Sequence, residues 1–432
     1  MTQTPTIAPA RTPMFASLRL RNYRLFFWGG LISNIGTWMA RIAQTWLVLT
    51  ILTDHSASAV GYVTGLQFLP MVLFGAWGGA VADRFPKRII LVWTQVLLAL
   101  NAATLALLVV FNVTELWHVY VLAFLQGVVT AVDNPTRQAF ASEMVPPELL
   151  PNAVGLNSTS FNGARLVGPA VAGLMIAVAG VGPSLLINAF TFIPVILALL
   201  AMDPFQLTPA PIRRGRGSVR EGIRYVAGRP DIQLVMFIVF MLGTFGMNFQ
   251  ITNALMATEV YGKGADAYGI LGSIMAVGSL TAALMAARRP RPRLSTMLGA
   301  LMGFAIATFA LALAPTYEMF AILLIPVGLT ALTVMTTANA SVQLTTEPVM
   351  RGRVMALYMM IFLGGTPLGA PMIGWIGDAW GARWTVLIGA IATALAFLVG
   401  MFFALQRNDW RLPSWRELRG VPEPAQLDPE EA

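Results

Sequence analysis

Gly79-Ala80-Val81-Ala82-Asp83-Arg84-Phe85-Pro86-Lys87-Arg88 places one acid and three bases between two apolar runs that carry no charge at all, 59–81 and 89–111. Each run exceeds the roughly 20 residues that an α-helix needs, at about 1.5 Å per residue, to cross a hydrocarbon layer. Strands of a membrane barrel alternate polar and apolar over about ten residues, and neither run does. The ten residues therefore read as a tight turn between two membrane helices.

The same pattern repeats along the chain. Further apolar runs lie near 24–51, 117–139, 153–179, 184–202, 232–256, 267–287, 295–314, 318–343, 354–377 and 383–405, giving an all-α membrane protein of twelve helices. Charged residues are 11% of the 432, less than half the ~25% usual for soluble domains. There is no cysteine, which excludes a disulfide framework and thiolate metal sites. Of the 28 Lys and Arg, only Lys263 and Arg383 fall on the far side of the alternating loops, and only Arg41 and Arg165 fall within runs away from their basic ends. The basic loops mark the cytosolic face, so both termini are expected there. The net charge of +8 thus reports topology rather than nucleic-acid binding. The first run carries Asn34, Arg41 and Gln44 and lacks a small-residue cleavage site, so it is expected to remain in the protein.

The expected organisation is a cytosolic N-tail (1–23), a six-helix bundle (24–202), a linker (203–231), a second six-helix bundle (232–405) and a cytosolic C-tail (406–432). In the linker, Val219, Ile223 and Val226 recur at helical spacing opposite Arg220 and Arg224, which predicts a short amphipathic helix. The C-tail is Pro- and Glu-rich and is expected to be disordered. The stretch from Glu143 to Gly173 resembles that from Glu347 to Gly374, with Pro169 and Pro371 in corresponding places. Two such halves are a transporter plan.

The decapeptide resembles the signature loop of the major facilitator superfamily, with Pro86 where that family usually has Gly. The resemblance implies two pseudo-symmetric six-helix bundles and a gating latch built from Gly79, Asp83, Arg84, Lys87, Arg88, Asp133 and Arg137. In such a latch Asp83 meets the helix that starts near Val354, and Lys87 meets Asp133, when the halves close at the cytosolic end. Gly79 would allow close helix approach. Arg165 with Gly168-Pro169-Ala170-Val171-Ala172-Gly173 resembles the superfamily's antiporter motif, a kinked helix with small neighbours. With Asn152-Ala153, Asn162-Gly163-Ala164 and Asp133-Asn134-Pro135 it is similar to the branch of enterobactin exporters and macrolide efflux pumps, drug:proton antiporters. The superfamily's arginine early in the fourth helix is absent, Ala123 standing in its place.

Asn34, Trp38, Arg41 and Thr45 share one face of the first helix, with Gln44 beside it. The resemblance makes the first, fourth, seventh and tenth helices line the cavity, so the expected substrate residues are Asn34, Trp38, Arg41, Gln44, Phe245, Asn248, Gln250, Asn253 and Asn339. A charge at mid-membrane costs about 2.5–3.5 kcal/mol even on the permissive scale. For Arg41 and Arg165 two readings stand: contact with an anionic or polar substrate, or structural bonds, in the case of Arg165 to backbone carbonyls, Asn157, Asn162 or Asn34. Asp133 is the acid best embedded in a run, which makes it a candidate for proton coupling as well as a latch partner. His55 and His118 lie near the outer surface, so no metal site, cofactor or nucleotide motif is expected. The expectation is export of a small organic molecule, such as a siderophore, macrolide or other drug, by alternating access with protons as coupling ion, from a monomer in a bacterial cytoplasmic membrane. Uptake of a metabolite on the same fold is the alternative. A membrane-embedded enzyme is disfavoured, since clusters of embedded Asp or His and large water-facing loops are missing.

Overall fold

A computed structural model describes residue 13 and residues 15–208, 219–287 and 292–406. The N-tail arginine Arg11, the Pro- and Arg-rich first part of the linker, Arg288, Arg289 and Arg291, and the C-tail after Gln406 lie outside the described residues. Twelve helices are long and apolar enough to cross a membrane: α1 Arg21–Leu52, α2 Ala57–Arg84, α3 Lys87–Val110, α4 Leu116–Met144, α5 Pro147–Ala179, α6 Val181–Leu200, α7 Pro230–Val260, α8 Ala265–Ala286, α9 Leu294–Ala312, α10 Tyr317–Thr345, α11 Arg351–Trp380 and α12 Ala382–Gln406. No strand occurs among the described residues.

Helix ends follow local chemistry. The Ser56 side chain accepts from the Ala59 amide to cap α2, and Thr316 does the same for Met319 of α10. Gly180 alone joins α5 to α6 and Gly381 alone joins α11 to α12, at φ +88° and +93°. Such values suit a residue without a Cβ. Their matching places in the two halves carry the internal repeat read from the sequence.

Several helices run further than the apolar runs at the end of the bundle that carries the basic loops. α4 continues through Glu143, whose carboxylate takes a bond from Lys87, and α5 opens with a 3-10 turn at Pro147. The second part of the linker is helical over Val219–Ala227. It lies under α11, where Glu221 pairs with Arg353 at 3.0 Å and Gly222 meets Arg353 and Leu357. Tyr225 and Val226 pack on the core, whereas Ile223 is exposed, so only part of the expected apolar face is buried. Arg229 donates to both oxygens of Asp231, to the Tyr225 hydroxyl and to the Thr345 carbonyl. The bonds it donates to Asp231 lift the pKa of the Arg229 guanidinium above its ordinary value.

Three seams join the first six spans to the last six, all toward the end opposite the basic loops. At the α2/α11 seam, a Cβ on Gly61 would strike the Ala370 carbonyl and one on Gly374 the Ala57 carbonyl. At the α5/α8 seam, a Cβ on Gly269 would strike the Pro169 carbonyl and one on Gly173 the Ala265 carbonyl. At the α1/α7 seam, Gln250 donates to the Thr45 hydroxyl at 2.6 Å and to the Arg41 carbonyl at 3.3 Å, and beside it Trp46 of α1 stacks on Tyr268 of α8. Asp378 of α11 also reaches across to the start of α2, accepting from the amides of Ala57 at 2.6 Å and Ser58 at 3.0 Å. A carboxylate there answers unpaired amides and the positive helix end. The basic end differs: no atom of a neighbouring helix lies within 4 Å of where a Cβ on Gly75, Gly79, Gly155 or Gly352 would stand.

Candidate functional site

The halves diverge toward the basic end and leave a cavity of about 660 Å³ between them, within the ~300–1,000 Å³ range of small-molecule sites. Its floor, on the sealed side, is formed by Ile42, Gln250 and Tyr268, and its wall continues to Phe26, Arg137 and Gln138 near the basic end. Of the expected substrate residues, Asn34, Trp38, Arg41, Asn248, Gln250 and Asn253 line it.

Gln44, Phe245 and Asn339 do not. Gln44 is buried behind α1, accepting from Gln67 at 2.7 Å. Phe245 sits on a π-helical turn, Leu242–Gly246, and its carbonyl faces Gly389 of α12. The wide turn and the break at Met247 and Asn248 that follows shift the register, so Phe245 leaves the face that holds Asn248. Asn248 donates to the Thr244 carbonyl at 2.7 Å across this break, and the non-helical Met247 and Asn248, with Phe249, Gln250 and Ile251 where the helix resumes, form part of the wall. Irregular backbone at membrane depth is tolerated where it lines such a cavity. Asn339 accepts from Gln343 at 2.6 Å, and α10 adds no residue to the wall. In its place α2, α5, α8 and α11 contribute, through Phe68, Arg165, Met275 and Phe362 among others. The fourth helix adds Gln126, Thr130 and Asn134, polar residues at helical spacing that could have been picked out in the sequence.

Arg41 and Arg165 meet at one ring. The Arg41 guanidinium lies 4.8 Å from the Trp38 centroid and 5.7 Å from that of Phe68, and Arg165 lies 5.6 Å from Trp38. Among the described residues, no carboxylate pairs with either, and neither guanidinium donates a hydrogen bond to the protein. The structural bonds expected of Arg165 are absent: Asn157 accepts from the Tyr23 hydroxyl, and Asn162 donates to the Ser158 carbonyl.

Asp133 lines the cavity while 5% exposed. One oxygen accepts from Thr94 at 2.6 Å and Gln95 at 2.8 Å, and the other pairs with Arg137 at 3.2 Å. Lys87 does not reach it. Lys87 pairs instead with Glu143 at 2.7 Å, because Glu143 stands nearly three helical turns nearer the basic end of α4. Arg88 donates to the carbonyls of Leu199 and Leu200 at the end of α6, and Arg84 lies over Phe85. These bonds hold the loop's bases to their own half. Asp83 is exposed and, among the described residues, makes no hydrogen bond or ion pair with α11. Gly78, one residue before the expected glycine, makes the close approach, against Ala131 of α4. The second motif lies between three helices: Gly168 abuts Trp38 of α1, and Pro169 and Gly173 abut α8.

Comparison with known proteins agrees with this architecture. The chain is 24% identical to the staphyloferrin A transporter of Staphylococcus aureus over 88% of its own length and 95% of that protein's. It is 26% identical to the multidrug efflux pump Tap of Mycolicibacterium fortuitum over 91% and 96%, and 23% identical to macrolide efflux protein A of Streptococcus pyogenes over 90% and 99%. Among solved structures, a bacterial homologue of the human lysosomal transporter Spinster, in an inward-facing and unoccupied conformation, superposes with a TM-score of 0.69 at 15% identity, covering 93% of this chain and all of that one. These relatives are transporters rather than enzymes. The family model described as transmembrane secretion effector matches residues 12–427, and the chain belongs to that family of major facilitator transporters, multi-pass bacterial membrane proteins that move small molecules.

Proposed function

We propose that this protein loads a small organic molecule from the cytosol into the cavity between its halves and exports it by rocking of the two halves, in exchange for protons. The observation that carries this reading is the contrast between the ends of the bundle. The α2/α11 and α5/α8 seams are jammed at Gly61, Gly374, Gly269 and Gly173, while Gly75, Gly79 and Gly155 of the same α2 and α5 helices stand open toward the basic end. The basic end is the cytosolic one by the distribution of Lys and Arg, with both termini on that side, so the cavity faces the cytosol.

In the opposite state the open glycines take the role of the jammed ones. The basic ends of α2 and α11 close at Gly75 and Gly79, and Asp83 meets the first amides of α11 as Asp378 now meets those of α2. The Tap and macrolide relatives are named for efflux, and the family for secretion, which favours export over uptake. Asp133 is the proton site in this scheme, since it lines the cavity and Lys87 is engaged elsewhere. The unit of transport is a monomer.

Everted membrane vesicles test the direction. With the proton gradient imposed, vesicles containing the protein should accumulate compounds from a panel of siderophores, macrolides and aromatic acids above control vesicles. Accumulation confined to right-side-out vesicles would overturn export.

A further inference from the structure

Three arginines line the cavity, Arg41, Arg137 and Arg165, against one carboxylate, Asp133. Asp133 is bonded to Arg137, and the other two are left without a counter-charge. Both guanidiniums lie over the single Trp38 ring. A cation–π contact leaves each charge without a counter-ion, and the two like charges repel each other. A ligand that brings negative charge relieves that repulsion.

We infer that Arg41 and Arg165, set about Trp38, form the subsite for the anionic group of the cargo, and that the cargo is a carboxylate-bearing organic molecule with a planar ring. This rests on the cavity being the transport site. Guanidinium presents a flat fork of donors that matches a carboxylate in pairs of parallel hydrogen bonds, and it stacks on aromatic faces while doing so. Thr64 lies one helical turn from Phe68 on α2, and its buried hydroxyl has no hydrogen-bond partner, which supplies a further donor. Phe161 meets Trp38 edge to face at 5.7 Å, and with Phe68 it offers the apolar surface that a ring attached to the carboxylate would cover.

Calorimetry on the purified protein in lipid nanodiscs tests this without reference to transport direction. The probes are benzoate, salicylate and phthalate, each set against its neutral amide, with chloride and sulfate as inorganic anions. At least one acid should bind ten-fold or more tighter than its amide. Arg41→Gln and Arg165→Gln should each weaken that binding by ten-fold or more, Arg41→Lys less so, with all variants monodisperse. Equal affinity for acids and amides, no binding of any acid, or undiminished binding in both glutamine variants would overturn the inference. Competition by chloride or sulfate at the same concentrations as the acids would also overturn it, since the site would then be one for inorganic anions. Export of a cation or neutral compound without acid binding would remove this subsite and leave the export reading intact; acid binding with inward transport would do the reverse.

Discussion

Asp133 shows how one side chain can change meaning between sequence and structure. Its position on the fourth helix and its resemblance to a latch partner were readable from the chain. Its bonds to Thr94 and Gln95, and the diversion of Lys87 to Glu143, were not, because spacing along a helix does not say how deep a neighbouring helix sits. The outcome leaves an acid with an arginine partner inside a cavity and free of the loop. If it carries the coupling proton, Asp133→Asn should keep normal membrane insertion and flatten the dependence of transport on pH, with activity at the optimum reduced ten-fold or more. Transport assayed in vesicles over a series of pH values checks this, and an unchanged pH profile would place coupling at another residue. The arginines were legible as an anomaly of charge within apolar runs; that they share Trp38 required three dimensions.

At the scale of elements, all twelve spans were legible, since continuous apolarity over membrane length has few other causes. Their ends were less so: α4 and α5 extend beyond the hydrocarbon on polar residues that hydropathy leaves out. The break in α7 was the largest omission. Gly243, Gly246 and Asn248 mark it, but a π-helical turn changes register without altering composition, and Phe245 was misplaced for that reason. The outer seams make a sharper prediction. Asp378 is exposed, so its bonds to the start of α2 are worth about 1 kcal/mol, a roughly fivefold bias toward the state sealed on that side. Asp378→Asn should therefore raise, about fivefold, the rate at which an impermeant thiol reagent outside the cell modifies Thr64→Cys. An unchanged rate would leave Asp378 a helix cap with no part in gating.

At the scale of the whole molecule, the alternation of basic loops and apolar runs foretold twelve crossings and two halves, because charge and hydropathy are recorded residue by residue. Which end stands open was not recorded, since a transporter's sequence must be compatible with both states. The structure supplies that through the glycines of the helices that meet between the halves: Gly61, Gly374, Gly269 and Gly173 are crowded on one side, while Gly75, Gly79 and Gly155 are bare on the other. The absence of native cysteine makes the claim that the cavity loads from the cytosol directly measurable. A single Asn134→Cys, on the cavity wall, should react with a membrane-impermeant maleimide in everted vesicles and be protected, at least ten-fold, in intact cells. Faster reaction in intact cells than in everted vesicles would contradict the account.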